Sequence, residues 1–166
     1  MVQKKICMVG VFATGKTCLV QRYVHSIFSP RYLSTVGVKI DRKDVVVRGE
    51  PLTLLLWDLE GRDATREINP SYVRGAHGLL FVVDGTRRET LYQALDIRNA
   101  VSTYVGTVPA AFAFNKCDLQ DEWKLEPADE EALSTNGLYG VRTSAKTGVG
   151  VESAFQWLAE ATHFGH

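Results

Sequence analysis

The stretch Gly10-Val11-Phe12-Ala13-Thr14-Gly15-Lys16-Thr17 decides the reading of this chain. It matches the spacing GxxxxGK[ST]. It also stands between an apolar run, Lys5 to Val9, and a segment of helical period in which Leu19, Val20, Tyr23, Val24 and Ile27 share one face. A strand, a glycine-bearing loop and a helix therefore open the chain, and that context separates the pattern from a chance glycine-rich turn. The amides of such a loop, with the positive end of the helix behind it, hold phosphate oxygens. Lys16 can reach the outer phosphates, and the Thr17 hydroxyl is a suitable ligand for Mg²⁺. The loop implies a nucleoside triphosphate and leaves the base open.

Outward from this loop, short apolar runs alternate with helix-period segments, as in an α/β sandwich around a mostly parallel sheet. Val36, Val38 and Ile40 alternate with polar neighbours, and the run continues through Val45 to Val47 to a turn at Arg48-Gly49-Glu50-Pro51. Leu52 to Trp57 returns as its antiparallel partner. Gly78 to Val83 and Ala110 to Phe114 read as buried strands, and Leu138 to Val141 as a short one after the helix stop Asn136-Gly137. Leu91, Ala94, Leu95, Val101 and Val105 mark the core face of one helix, and Val151, Ala154, Phe155, Leu158 and Thr162 that of the last. Gly61 to Asn69 is polar and closed by Pro70, which suits a first helical turn behind an Asn cap. It reads as a mobile loop or an ordinary solvated connection.

With 166 residues, 45% of them hydrophobic, the chain is expected to form one domain, 1–166, with a sizeable core. Its 19 basic and 19 acidic side chains balance, which argues against nucleic acid or an anionic membrane surface as a partner. Cys7, Cys18 and Cys117 lack disulfide or zinc spacing; the first two lie in apolar stretches that look buried, and Cys117 reads as inert rather than redox-active. His25, His77, His163 and His166 have no metal spacing, and Trp123 and Trp157 read as packing residues. The N-terminus has no signal-peptide core, Val2 excludes N-myristoylation, and no apolar run is long enough for a bilayer. The C-terminal residues offer no cysteine for prenylation. The expectation is a cytoplasmic protein without a lipid anchor, or a trimmed chain.

Three further motifs carry chemistry. Asp58, in Trp57-Asp58-Leu59-Glu60-Gly61, ends an apolar strand; alone it would be a cap or a turn, but after a phosphate loop it reads as a second metal contact. Asn115-Lys116-Cys117-Asp118 follows another strand, and a carboxylate there can accept from the ring NH and amino group of guanine, a donor pair that adenine lacks on that edge. Thr143-Ser144-Ala145-Lys146 follows the last strand and brings the Ala145 amide to where the guanine oxygen could meet it. A phosphate-loop ATPase or kinase is the reading that Asp118 argues against.

Four motifs in this order, each behind a strand, resemble the Ras-like small GTPases from Lys5 to about Ala161; Ser71 to Gly78 (SYVRGAHG) is similar to the equivalent stretch of Rab proteins. The resemblance implies a P-loop NTPase three-layer sandwich, with a six-stranded, mostly parallel sheet, one antiparallel strand and about five helices. It implies GTP and GDP as ligands, with nucleotide contacts from Gly10, Ala13, Thr14, Gly15, Lys16, Thr17, Cys18, Phe28, Thr35, Gly61, Asn115, Lys116, Asp118, Ser144, Ala145 and Lys146. Mg²⁺ would be held by Thr17, Asp58 and Thr35, with Lys16, Thr35 and Arg62 as the residues of catalysis. Tyr32 to Ile40 looks like the first of two switch segments, about 28–37 and 59–74, where protein effectors and regulators would read the nucleotide state. Without a prenylation cysteine, the resemblance leans toward a prokaryotic member or a trimmed chain.

Three residues depart from the family pattern. Arg62 stands where most members have a water-orienting glutamine; with five donors and no acceptor it either places positive charge on the transition state or is a solvated side chain that leaves hydrolysis slow. Phe12 replaces a small residue and would crowd an arginine finger delivered by a partner. Glu60 often corresponds to alanine, and its charge would point away from a γ-phosphate or position water. Slow intrinsic turnover is expected; the alternative is an interaction module that holds GTP or GDP with little hydrolysis.

Overall fold

Every apolar run singled out above becomes a strand in the computed structural model, which describes residues 1–29, 37–59 and 68–165. Thr35, Glu60, Gly61 and Arg62 lie outside the described residues, as do most of the two expected switch segments. Strands β1 (Val2–Val9), β2 (Val38–Val47), β3 (Glu50–Leu59), β4 (Gly78–Asp84), β5 (Ala110–Asn115) and β6 (Tyr139–Arg142) form one sheet in the order β2-β3-β1-β4-β5-β6. Among the described residues only the β2–β3 pair is antiparallel. The helices are α1 (Lys16–His25), α2 (Pro70–Val73), α3 (Glu89–Val105), α4 (Pro127–Thr135) and α5 (Val151–Phe164). This is the six-stranded, five-helix α/β sandwich expected of the Ras-like fold, and no helix among the described residues is long and apolar enough to cross a membrane.

The period-two alternation of the central strands divides the core between two faces. Ile6, Met8, Leu54, Leu56, Leu80 and Val82 meet α1 and α5 on one side, where Tyr23 stacks on Phe155 at 4.1 Å between ring centroids. Cys7, Val9, Phe81, Val83 and Phe112 meet α2, α3 and α4 on the other, with Phe81 stacked on Phe112 at 5.0 Å. The chain leaves β1 toward the α1 face and β4 toward the α3 face, so a crevice opens at the carboxyl ends of these neighbouring strands, where ligands of α/β sheets bind.

Several boundaries differ from the sequence reading. Helix α1 ends at His25 because Ser26 turns left-handed (φ 57°) while its N–H donates to the Arg22 carbonyl; Ile27, expected on the core face, lies beyond the helix and is 54% exposed. The turn expected over Arg48 to Pro51 tightens to two residues, Arg48 and Gly49, both with positive φ (49° and 83°), the geometry that matches the twist of a hairpin. Cys18, expected to be buried, is half-buried against the core. Pro70 does open α2, and the Asn69 side chain accepts from Ser71 N at 3.0 Å, but this helix is only four residues long.

Candidate nucleotide site

The described residues of all four motifs sit at the carboxyl edge of the sheet. The loop after β1 is threaded tightly: a Cβ on Gly10 would lie 2.6 Å from the Val82 carbonyl oxygen, and one on Gly15 (φ 99°) would lie 2.4 Å from Asn115 Nδ2. Ala13, between them, takes the left-handed conformation (φ 62°) without being glycine, a strained state that its surroundings must impose. Lys16 is 6% exposed, and its Nζ donates to the carbonyls of Gly10 (3.1 Å) and Val11 (3.2 Å). Burial pulls its ammonium down to about 8 against the opposing attraction of Asp58. A phosphate in the loop would supply the charge that favours the protonated form.

Thr17 Oγ1 donates to Asp58 Oδ2 at 2.6 Å, and Asp58 is fully buried at the end of β3. A hydroxyl and a buried carboxylate in contact beside a phosphate loop form a hard oxygen-donor pair of the kind Mg²⁺ takes together with phosphate oxygens and water. The residues present fit that ion; Thr35, the third expected ligand, lies outside the described residues.

The base loops are tied directly to the phosphate loop. Asn115, 2% exposed, donates from Nδ2 to the Thr14 carbonyl (3.0 Å) and accepts at Oδ1 from Thr143 Oγ1 (3.1 Å), so one amide joins three loops. Lys116 Nζ donates to the Ala13 carbonyl at 3.1 Å and to Asp84 Oδ2 at 2.8 Å. Asp118 accepts at Oδ1 from Ser144 Oγ at 2.8 Å, which orients a half-buried carboxylate beside the buried Ser144 and Ala145. The exposed Lys146 enters through its carbonyl, which accepts from Arg22, as does the Ala145 carbonyl at 2.7 Å. Phe28 lies three residues past α1 and is 36% exposed, outside the hydrogen-bond network that joins these loops.

Asp84, Thr86, Arg87 and Arg22 belong to this network and escaped the sequence reading. Asp84, 1% exposed, accepts at Oδ1 from the Thr86 amide and hydroxyl and at Oδ2 from Lys116 and Arg87. Burial alone would raise its pKa, but the bonds from Lys116, Thr86 and Arg87 outweigh it and hold the carboxyl below the usual carboxylate range. An aspartate closing an apolar strand was the signal that picked out Asp58, and the same signal applies at Asp84. The three thiols are all raised, by burial first, with Cys7 pushed up to about 12, so none is primed as a nucleophile.

The sequence model described as Ras family matches residues 5–163. GTP-binding protein YPTM1 of Zea mays is 31% identical over 159 residues, covering 95% of this chain and 76% of the relative. Ras-related protein RIC1 of Oryza sativa subsp. japonica is 32% identical over 157 residues (93% and 78%), and Ras-related protein Rab-8A of Bos taurus is 31% identical over 157 residues (93% and 76%). Since the match runs from β1 into the last turn of α5 and takes in the phosphate loop and both base-loop tetrapeptides, the chain belongs to the Ras family of small GTPases.

Proposed function

We propose that this chain is a guanine-nucleotide switch that binds GTP and GDP with Mg²⁺ and converts GTP slowly to GDP and phosphate. The observation that carries the reading is the joining of Asp118 and Ser144, through the Asn115–Lys116 loop, to the carbonyls of the phosphate loop. One end of that unit has the acceptors for the guanine NH and amino donors, and the other has the amides and the lysine for phosphates. Ala145, held through its carbonyl by Arg22, is the donor offered to the guanine oxygen. Lys16 would neutralise charge on the outer phosphates, and Thr17 and Asp58, with Thr35, would hold the metal; Mg²⁺ would supply charge stabilisation to the phosphates. A water oxygen attacks the γ-phosphorus, its bond to the bridging oxygen breaks, and GDP and inorganic phosphate leave.

Slow turnover is the finer part of the reading and rests on Arg62, which has no acceptor with which to orient the attacking water, on Glu60, and, for turnover assisted by a partner, on Phe12. Its side chain is 54% exposed on the phosphate loop, bulk that an arginine finger from a partner must pass. Effectors and regulators that distinguish the two states are assigned to the switch segments. The test is a single-turnover time course: the protein is loaded with GTP and Mg²⁺, freed of excess nucleotide, and its bound GTP and GDP are quantified over hours. Decay at or below about 10⁻⁴ s⁻¹ is expected, together with displacement of bound GDP by GTP and not by ATP. Much faster decay overturns the slow-turnover reading, and equal displacement by ATP overturns the guanine reading.

A further inference from the structure

From Gly10 to Thr14, each carbonyl of the phosphate loop has a donor. Lys16 Nζ serves Gly10 and Val11 (3.1 and 3.2 Å), and Thr14 Oγ1 also reaches Val11 (3.0 Å). The next three carbonyls are held by side chains from outside the loop: Phe12 by Arg87 Nη2 (2.8 Å), Ala13 by Lys116 Nζ (3.1 Å) and Thr14 by Asn115 Nδ2 (3.0 Å). Asn115 and Lys116 belong to the base-reading motif, whereas Arg87 precedes α3 and belongs to none of the four motifs.

The place where Arg87 acts is the strained one. Ala13 is left-handed (φ 62°), and the peptide planes on its two sides are those whose oxygens Arg87 and Lys116 hold. A trans peptide points its N–H opposite to its C=O, so fixing the Phe12 oxygen fixes the Ala13 N–H, and fixing the Ala13 oxygen fixes the Thr14 N–H. Both cations share one acceptor, Oδ2 of the buried Asp84, with Arg87 Nε at 3.0 Å and Lys116 Nζ at 2.8 Å. A guanidinium can hold the carboxylate and the carbonyl together through separate donors in one rigid plane, which a lysine ammonium cannot reproduce.

We propose that Arg87 is a positioning residue for phosphate binding: anchored by Asp84, it holds the Phe12 carbonyl and so keeps the Ala13 amide turned toward the phosphates of the bound nucleotide. The inference rests on the guanine-nucleotide reading for the identity of that ligand. Its consequence is selective, because the loop that loses Arg87 loses preorganised amides while Asp118, Ser144 and Ala145 keep their own supports.

The test follows release of fluorescent methylanthraniloyl-GDP from the Mg²⁺-loaded protein on addition of excess GDP, alongside competition by guanosine, which has no phosphate. Arg87→Ala is expected to release the labelled GDP about tenfold faster, the loss of one charge-assisted hydrogen bond. Arg87→Lys should fall between it and the wild type, with guanosine competition unchanged in both. Arg87→Gln, closer in bulk, carries the same expectation as alanine if the alanine variant does not fold. Release at the wild-type rate from the alanine or glutamine variant overturns the inference. So does a loss of guanosine affinity in the same proportion as GDP, which would mark a general loosening of the site. A wild-type protein that takes labelled ADP as readily as labelled GDP overturns the base assignment alone, since the Arg87 comparison can then be read on either diphosphate; one that binds neither overturns both.

Discussion

Gly15 and Asn115 show how little slack the site has. A methyl group on Gly15 would lie 2.4 Å from Asn115 Nδ2, an atom of a side chain that is 2% exposed and bonded at both ends, to Thr14 and to Thr143. The backbone at Gly15 is also left-handed (φ 99°). Gly15→Ala therefore combines a left-handed penalty with the loss of the Asn115–Thr14 bond, and about 2–3 kcal/mol of destabilisation is expected in urea unfolding of the nucleotide-free protein. GDP affinity should fall with it, and a variant as stable as the wild type would show that Asn115 can retreat. At this scale the motif residues that the structure gathers at one edge of the sheet were legible as candidates, because phosphate, metal and base chemistry would each demand particular residue types at fixed spacings, as at Lys16, Thr17, Asp58 and Asp118. Arg87 was not legible: its partner, the Phe12 carbonyl, is 75 positions away, and nothing in a local window distinguishes it from the neighbouring Arg88, which pairs instead with Asp129 in α4.

Elements are held in register by contacts of a different kind, and one of them titrates. His77, just before β4, donates its backbone N–H to the Lys5 carbonyl (2.8 Å) in β1, and its ring Nδ1 accepts from the Lys5 amide at 2.9 Å. That second bond requires the neutral ring, and burial, Lys4 and Lys5 in that order hold the pKa below its ordinary 6.5. The unfolded chain thus takes up this proton first, so the contribution of His77 is present above pH 6.5 and is lost as pH falls through that value toward the lower folded one. Between about pH 7 and about pH 5.5, Tm of the wild type should fall by more than that of His77→Gln; parallel pH profiles would show that the ring acceptor contributes nothing. Periodicity gave the strands and helices α1, α3 and α5 well, since the buried strands and the stripes of those helices are regular, whereas α2 was read from its cap and α4 only from its stop. It failed where a single backbone torsion decides, as at Ser26, which stops α1 before Ile27, and at Arg48 and Gly49, which close the hairpin two residues sooner than its turn-forming composition suggests.

Across the whole molecule, the site draws on residues at or just past the carboxyl ends of five of the six strands, so a ligand that bridges them should stabilise the entire sheet and not a local patch. The phosphate loop follows β1, Asp58 ends β3, Asp84 ends β4, Asn115 ends β5 and Thr143 follows β6, with Asn115 bonded across to both the first and the last of these loops. A ligand present at about 1,000 times its dissociation constant adds about 4 kcal/mol to the folded state. For a domain of this size each kcal/mol moves Tm by about 2–4 °C, so GDP with Mg²⁺ should raise Tm by roughly 8–16 °C. Chelating the metal should give back part of that rise, because the buried Asp58 carboxylate, bonded to Thr17, and the phosphates would then lack the cation that would offset their charges. ADP at the same concentration should leave Tm near its ligand-free value, since nothing in adenine matches the acceptors of Asp118. A thermal scan with the two diphosphates, each with and without EDTA, checks all of this. Equal shifts with ADP and GDP would mean that the phosphate loop alone carries the affinity and that the base loops serve only to brace it.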